Sequence, residues 1–110
     1  MPGARKTHDL TAQDLKAGLA AAEILLIDVR EPDEFAVERI PGAINIPLST
    51  FRTDALPEAG GKRIVFHCAG GKRSAAAVER CRAAEHAPDA HLAGGIAAWK
   101  AAGLPTVRGV

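Results

Sequence analysis

The sequence predicts one α/β domain in which short strands alternate with helices around a mainly parallel sheet. Three features support this prediction: wholly apolar runs of strand length, segments with helical spacing between them, and Gly- or Pro-containing turns. The chain has 110 residues, which is the size of one ordinary domain. Its composition, 47 % hydrophobic and 25 % charged, is typical of a globular protein and argues against disorder.

The first regular element is predicted to be a helix that follows a flexible, polar arm over residues 1–9. Thr11 suits the N-cap position, and the acidic Asp14 stands three residues later, as in a capping box. Leu15 and Leu19 then lie on the same helix face.

Four apolar segments are predicted to form strands. The first ends at Asp28 and carries no polar residue on either face, which is typical of a strand buried inside a parallel sheet. The second is closed by Pro47, and the third leads into a Gly-containing loop. The segments are residues 24–27, 43–46, 63–66 and 90–92.

Further helices are predicted between and after these strands. Pro32 suits a first helical position and is followed by acidic residues. A short helix is expected around Phe51, and a longer one over residues 74–85. The last helix contains Trp99 and stops at Gly103.

Composition also excludes several function classes. Fourteen Lys and Arg residues against thirteen Asp and Glu residues leave a net charge of +1, so we expect no broad surface for nucleic acid or an anionic membrane. No apolar run reaches the roughly 18 residues of a membrane-spanning helix, and the first residues lack the apolar stretch of a secretory signal. A cytoplasmic protein is therefore expected. Its two cysteines are too few for a disulfide scaffold.

One loop, with the sequence CAGGKRS over residues 68–74, indicates chemistry. Cys68 stands at the carboxyl end of a strand, where open α/β sheets place their ligands. Gly70 and Gly71 allow the loop to turn its N–H groups inward. The helix predicted to begin near Ser74 directs its positive end at the same place, and Arg73 adds a cation.

These features are expected to activate Cys68. Cationic surroundings and a helix N-terminus lower a thiol pKa from its ordinary value of about 8.5, and the thiolate is the nucleophile, so no separate base is strictly required. The alternative is that Cys68 is a small buried hydrophobic residue, as most reduced cysteines are. A Cys68 packed away from solvent, with the surrounding amides turned elsewhere, would support that alternative.

Three ordered blocks of sequence share a recognisable pattern. The loop matches Cys-x-x-Gly-x-Arg-Ser at Cys68, Gly71, Arg73 and Ser74. The N-terminal block consists of LIDVR at residues 26–30, EF at 34–35 and IPGAINIP at 40–47. The C-terminal block consists of Leu92, Gly94-Gly95, Trp99 and GLP at 103–105. Together they resemble the rhodanese family, the single-domain sulfurtransferases, over about residues 10–107, which we take as the domain.

The resemblance implies a three-layer α/β/α fold with a central, mainly parallel five-stranded sheet. It also implies that Cys68 accepts a sulfane sulfur from a donor such as thiosulfate and passes it to a thiophilic acceptor such as cyanide or a thiol. The N–H groups of the loop residues Ala69, Gly70, Gly71, Lys72, Arg73 and Ser74 would hold the outer sulfur as an anion. No cofactor is implied.

Roles can be assigned to the charged residues of these blocks. Arg73 can either pair with a carboxylate that closes the loop or bind the anionic donor. Lys72 is expected to reach the mouth of the site and attract thiosulfate. Asp28 is interpreted as structural support. Arg30 is either a scaffold partner or a substrate-binding cation at the rim, and the scaffold role is favoured because paired charges at strand ends often fix loops.

Two details distinguish this chain within the resemblance. Arg39 stands where the family usually has a His, so any role of that His near the site either passes to Arg39 or is absent. Four residues separate Cys68 from Arg73. Related phosphatases and arsenate reductases have one residue more, so the resemblance favours sulfur transfer over these reactions.

The other candidate residues are interpreted as structural. Cys81 is expected on a buried helix face rather than as a resolving cysteine. Strand alternation points His67 away from Cys68, which argues against a role as base. The His and Cys residues are irregularly spaced, so no metal site is expected. A second functional hypothesis stays open, in which the chain is a sulfur-carrier or interaction module that serves a protein partner.

Overall fold

A computed structural model describes residues 7–109. A five-stranded sheet has the order β1-β6-β5-β2-β4, and every neighbouring pair is parallel. The strands are β1 (His8–Leu10), β2 (Ile24–Asp28), β4 (Ile44–Asn45), β5 (Arg63–His67) and β6 (Ala90–Leu92). A second, two-stranded antiparallel ribbon pairs β3 (Glu38–Arg39) with β7 (Val107–Arg108).

Within residues 7–109, four α-helices accompany the sheet: α1 (Ala12–Ala20), α2 (Pro32–Val37), α3 (Lys72–Ala83) and α4 (Gly95–Ala101). Helix α1 begins with the predicted capping box, in which Thr11 and Asp14 satisfy one another's backbone N–H groups. Pro32 occupies the first position of α2, as predicted. Within residues 7–109 no helix combines the length and apolarity needed to cross a bilayer.

The sheet separates two apolar cores, because successive strand residues point to opposite faces. In β2 and β5, Leu26 and Val65 pack into one core with α1 and α4, whereas Ile27 and Phe66 pack into the other with α3. The α/β/α layering and the parallel five-stranded sheet are thus confirmed.

Several element boundaries differ from those predicted. His8 and Asp9, assigned to the flexible arm, instead belong to β1 because β6 pairs with them; residues 1–6 of that arm lie outside the described residues. Helix α3 begins at Lys72, two residues before Ser74. In place of a helix around Phe51, two 3₁₀ turns (Leu48–Thr50 and Thr53–Ala55) flank this residue, which is buried between them.

Candidate active site

Cys68 lies at the carboxyl edge of the sheet, in the loop that joins β5 to α3. The loop turns into the helix at Gly71, the N-cap of α3, whose backbone has a φ of 106°. This left-handed conformation suits glycine, and it aims the N–H group of Gly71 at the Cys68 sulfur. The Gly71 N···Sγ distance is 3.1 Å.

The first turn of α3 completes the cradle around this sulfur. The N–H of Ser74 donates to Sγ at 3.3 Å, and the Ser74 hydroxyl accepts from the thiol at 3.6 Å. Burial raises the pKa of the Cys68 thiol, but the hydrogen bonds from Ser74 and from the amides of Gly71 and Gly70 outweigh it, so the pKa is lowered. The predicted activation of Cys68 therefore has a geometric basis.

The start of α4 holds the loop from its other side. The N–H of Ile96 donates to the carbonyl of Cys68 at 2.8 Å, and that of Ala97 donates to the carbonyl of Ala69 at 3.2 Å. With these carbonyls turned towards α4, the amides further along the loop are left to face the sulfur. The sequence does not predict this support directly, although the glycine pair Gly94-Gly95 at the start of α4 is a signal of close backbone approach.

Cys68 is buried, with 1 % of its surface exposed. The burial agrees with the alternative in which Cys68 is only a small buried hydrophobic residue. The orientation of the surrounding amides does not agree with it, because they point at Sγ rather than away from it. A surface groove between α1 and the amino ends of β2 and β5 does not include the Cys68 loop.

Arg73 closes the loop by pairing with a carboxylate. Its guanidinium binds both carboxylate oxygens of Glu34 on α2, at 2.7 Å and 3.0 Å. The hydrogen bond from Arg73 lowers the pKa of Glu34 from 4.5 to about 2. Of the two roles that the sequence left open, this geometry supports loop closure. In the sequence, Glu34 stands out only as part of the EF pair at residues 34–35, within the blocks that resemble the rhodanese family.

The family model described as "Rhodanese-like domain" matches residues 11–102. The chain belongs to the rhodanese-like family. A protein named "Sulfurtransferase" from Allochromatium vinosum is 33 % identical over 103 residues, which cover 91 % of this chain and 94 % of that protein. An uncharacterized protein of Synechocystis is 46 % identical over 85 residues, but the chain spans only 48 % of its length.

The fold of this rhodanese-like domain also matches a solved structure. The thiosulfate sulfurtransferase of Pseudomonas aeruginosa has a TM-score of 0.80 and 30 % sequence identity, covering 94 % of this chain and 21 % of that chain. The fold predicted from the resemblance is therefore confirmed by sequence and by structure.

Asp28 and Arg30 form a buried pair at the carboxyl end of β2 in this rhodanese-like domain. The Arg30 guanidinium donates to both oxygens of Asp28 and, at 2.6 Å, to the carbonyl of Glu38. Arg30 is only 6 % exposed, and its Nε and Nη2 donate within the scaffold, which favours the scaffold role over the rim cation. Asn45 adds hydrogen bonds to the carbonyls of Asp28 and Arg30.

The remaining loop residues lie nearer the surface. Lys72, the first residue of α3, is exposed, as is Gly70, while Ala69 is half-buried. Arg39 does not contact Cys68; it stacks over Phe35 at 5.3 Å and donates to the carbonyl of Gly109 at 2.6 Å. In this chain Arg39 therefore ties the C-terminal ribbon to α2.

His67 and Cys81 are both buried, as the structural interpretation expected. The ring of His67 lies 3.4 Å from the Asp28 carboxylate and 3.4 Å from the Cys68 carbonyl, and makes no hydrogen bond to Sγ. Burial lowers the pKa of His67. Cys81 packs on the inner face of α3 against the second core. Among the described residues, no three His, Cys, Asp or Glu side chains gather as metal ligands would.

A polar contact that the sequence did not predict joins Ser74 to His91 on β6. Ser74 Oγ lies 2.7 Å from His91 Nδ1, and His91 Nε2 lies 2.9 Å from a carboxylate oxygen of Asp9 on β1. No motif in the sequence links these three positions, because they meet only when β1 pairs with β6 and α3 crosses that edge of the sheet.

Proposed function

We propose that this rhodanese-like domain is a sulfurtransferase that moves a sulfane sulfur from thiosulfate, or a related persulfide donor, to a thiophilic acceptor through a Cys68 persulfide. The observation that supports this most directly is the set of amides aimed at Sγ, with Gly71 N at 3.1 Å and Ser74 N at 3.3 Å. Donors placed in this way stabilise a negative charge on sulfur.

The reaction has two displacement steps. The Cys68 thiolate attacks the outer sulfur of thiosulfate, a new S–S bond forms, and the bond to the sulfonate sulfur breaks as sulfite leaves with the electron pair. Cyanide or a thiolate then attacks the outer sulfur of the persulfide, and the Cys68 thiolate is restored. Donor and acceptor react in turn, so ping-pong kinetics follow.

Lys72 is the cation proposed to attract the donor. It is exposed at the first position of α3, whereas Arg73 and Arg30 are engaged by Glu34 and Asp28. The likeness to a thiosulfate sulfurtransferase supports thiosulfate as the donor. A small anion also suits a site whose cysteine, Cys68, is 1 % exposed.

Mass spectrometry after incubation with thiosulfate tests the proposal. We expect one added sulfur atom on Cys68 and release of thiocyanate on adding cyanide. Cys68→Ser should abolish both, while Cys81→Ser, which removes the second thiol, should retain them. Thiocyanate production by Cys68→Ser at the wild-type rate would contradict the proposed function.

Steady-state kinetics test the role of Lys72. Lys72→Ala should raise the KM for thiosulfate by roughly three- to tenfold with little change in kcat, because a lost surface cation weakens the capture of an anion. Lys62→Ala, which removes an exposed lysine at the opposite end of β5, is the control. An unchanged KM for thiosulfate in Lys72→Ala would show that Lys72 does not help to bind the donor.

A second function, sulfur carriage for a protein partner, is favoured by one observation. The chain spans only 48 % of the Synechocystis relative, so a domain of this kind occurs within a longer protein, in which another part of that protein could exchange sulfur with it. Slow turnover of thiosulfate, together with rapid loading of Cys68 from a protein persulfide, would support carriage over small-molecule turnover.

A further inference from the structure

A chain of four polar side chains leads from Cys68 to the protein surface. The Cys68 thiol, the Ser74 hydroxyl, His91 and Asp9 follow one another at 3.6, 2.7 and 2.9 Å. The first two residues are buried and His91 is 7 % exposed, but the side chain of Asp9 is 67 % exposed. The chain therefore links a sulfur that is shielded from solvent with a carboxylate that water reaches.

The chemistry of the end groups sets the direction of these hydrogen bonds. A carboxylate only accepts, so the hydrogen between Asp9 and His91 is carried by Nε2. In the neutral ring Nδ1 is then an acceptor. The Ser74 hydroxyl has one hydrogen and two acceptors within reach, His91 Nδ1 at 2.7 Å and the Gly71 carbonyl at 3.1 Å. When the hydrogen points to the nearer Nδ1, the oxygen lone pairs of Ser74 face the thiol.

We propose that His91, held by Asp9, receives the proton of the Cys68 thiol through the Ser74 hydroxyl. The S–H bond breaks as Ser74 Oγ takes the proton, and the original hydroxyl proton of Ser74 passes to His91 Nδ1. The products are a thiolate, an intact serine hydroxyl that now donates to that thiolate, and an imidazolium facing Asp9. The total charge is unchanged, and no other reactant is needed.

This inference rests on the proposed function, since sulfur transfer begins with the thiolate. Amides that favour the thiolate do not by themselves provide a path for its proton, and Cys68 is 1 % exposed. His91 acts through Ser74 and is therefore a positioning residue. Its ring faces Asp9 from β1 and Ser74 from α3, and its register neighbour on β5 is the uncharged Phe66.

The pH profile of Cys68 alkylation by iodoacetamide, in a Cys81→Ser background, tests the relay. In His91→Asn the carboxamide oxygen can stand near the position of Nδ1 and accept from Ser74, but it cannot take up a proton. We expect the midpoint of the profile to rise by about one pH unit, so that alkylation at pH 7 slows about tenfold, as for a thiolate that loses a nearby cation. A profile identical to that of the parent would overturn the proposal.

Two further variants keep this test decisive. His8→Asn removes a histidine from β1, the strand that carries Asp9, without changing a residue of the relay. It should leave the pH profile of Cys68 alkylation unchanged. Asp9→Asn changes an exposed side chain, so it should fold even if His91→Asn does not, and should slow alkylation at pH 7 by roughly threefold. An unchanged rate in folded Asp9→Asn would also count against the relay.

The tautomer of His91 gives an independent measurement. Nitrogen-15 chemical shifts should report either Nε2–H with a bare Nδ1 or a doubly protonated ring; Nδ1–H with a bare Nε2 would overturn the proposal. Alkylation needs no sulfur donor. A shifted profile without any sulfur uptake would therefore reject the proposed function alone, and sulfur uptake with unshifted profiles would reject the relay alone.

Discussion

At Gly71 the loop changes direction in a way that a side chain would obstruct. The backbone has a φ of 106°, and a Cβ added there would lie 3.2 Å from the backbone nitrogen of Gly94. The same conformation aims the Gly71 amide at Cys68 Sγ. One residue therefore both starts α3 and supplies a hydrogen bond to the nucleophile.

Gly71→Ala should weaken both the fold and the site. The left-handed conformation costs a residue with a Cβ about 1–2 kcal/mol, so we expect a loss of that size in the free energy of unfolding. If the loop relaxes, the amide turns from Sγ and the pKa of Cys68 rises. Chemical denaturation and the pH profile of Cys68 alkylation measure the two effects.

Gly70→Ala is the matched control for this change. Gly70 is adjacent, a Cβ added to it would meet nothing within 4 Å, and its backbone needs no positive φ. Its substitution should leave stability within about 0.5 kcal/mol of the wild type. If Gly70→Ala and Gly71→Ala behave alike, the conformation of Gly71 does not decide the geometry of the cradle.

At the scale of elements, the start of α4 is part of the site. Gly95 has a φ of 62°, and a Cβ there would lie 2.4 Å from the Cys68 carbonyl oxygen and 2.5 Å from that of Ala69. Gly95→Ala should therefore push α4 away from the loop, destabilise the fold by about 2–4 kcal/mol and slow Cys68 alkylation.

Gly103→Ala is the control that separates the effect of the clash at Gly95 from the effect of its backbone conformation. It has a similar φ of 77° but nothing within 4 Å of an added Cβ. Gly103→Ala should thus cost about 1–2 kcal/mol without changing the rate of Cys68 alkylation. Equal alkylation rates in Gly95→Ala and the wild type would show that α4 does not hold the loop.

The Arg73–Glu34 pair joins α3 to α2 and makes their packing depend on pH. The folded-state pKa of Glu34 is about 2, lowered from 4.5 by the hydrogen bond from Arg73. The stabilisation is present above pH 4.5 and is lost as the pH falls towards 2. Since both side chains are about one-third exposed, screening reduces the contribution to about 1 kcal/mol.

Glu34→Gln should remove this dependence. At pH 6 we expect the free energy of unfolding of the variant to be about 1 kcal/mol lower than that of the wild type. This difference should vanish near pH 2. Asp33→Asn, an exposed change in the same helical turn, should show no such convergence. A difference between Glu34→Gln and wild type that is constant from pH 6 to pH 2 would contradict the assignment.

Elements with strong local signals could be predicted from the sequence, and those that depend on pairing could not. The capping box at Thr11 and the apolar run of β2 are local patterns. Strand β1 is short and includes the polar His8 and Asp9, so only its pairing with β6 makes it a strand. The same pairing brings Asp9 to His91, which is why the relay has no signature in the sequence.

For the whole molecule, the main feature is a buried polar cluster at the carboxyl ends of β2 and β5. Asp28 is fully buried at the end of β2, where it accepts from Arg30 and lies 3.4 Å from His67 on β5. The sequence identified Asp28 as structural support and left the role of Arg30 open. Their close packing with His67 depends on the β2–β5 register, in which Asp28 stands opposite His67.

This cluster makes global stability depend on the protonation of His67. Burial lowers the pKa of His67 in the folded chain below its ordinary value of 6.5, with the charge of Asp28 opposing the shift. The unfolded chain therefore takes up the proton more readily. The free energy of unfolding therefore keeps its full value with respect to His67 above pH 6.5. It decreases as the pH falls below 6.5, by at most about 1.4 kcal/mol per pH unit for one proton.

His67→Asn should flatten this part of the stability curve. The slope of the unfolding free energy between pH 6.5 and pH 5, measured by urea denaturation, is the informative quantity, because it does not depend on the packing lost in the variant. The exposed change His8→Asn should keep the wild-type slope. If His67→Asn also keeps it, the loss of stability in this range arises elsewhere, and protonation of the buried ring does not limit the fold in mild acid.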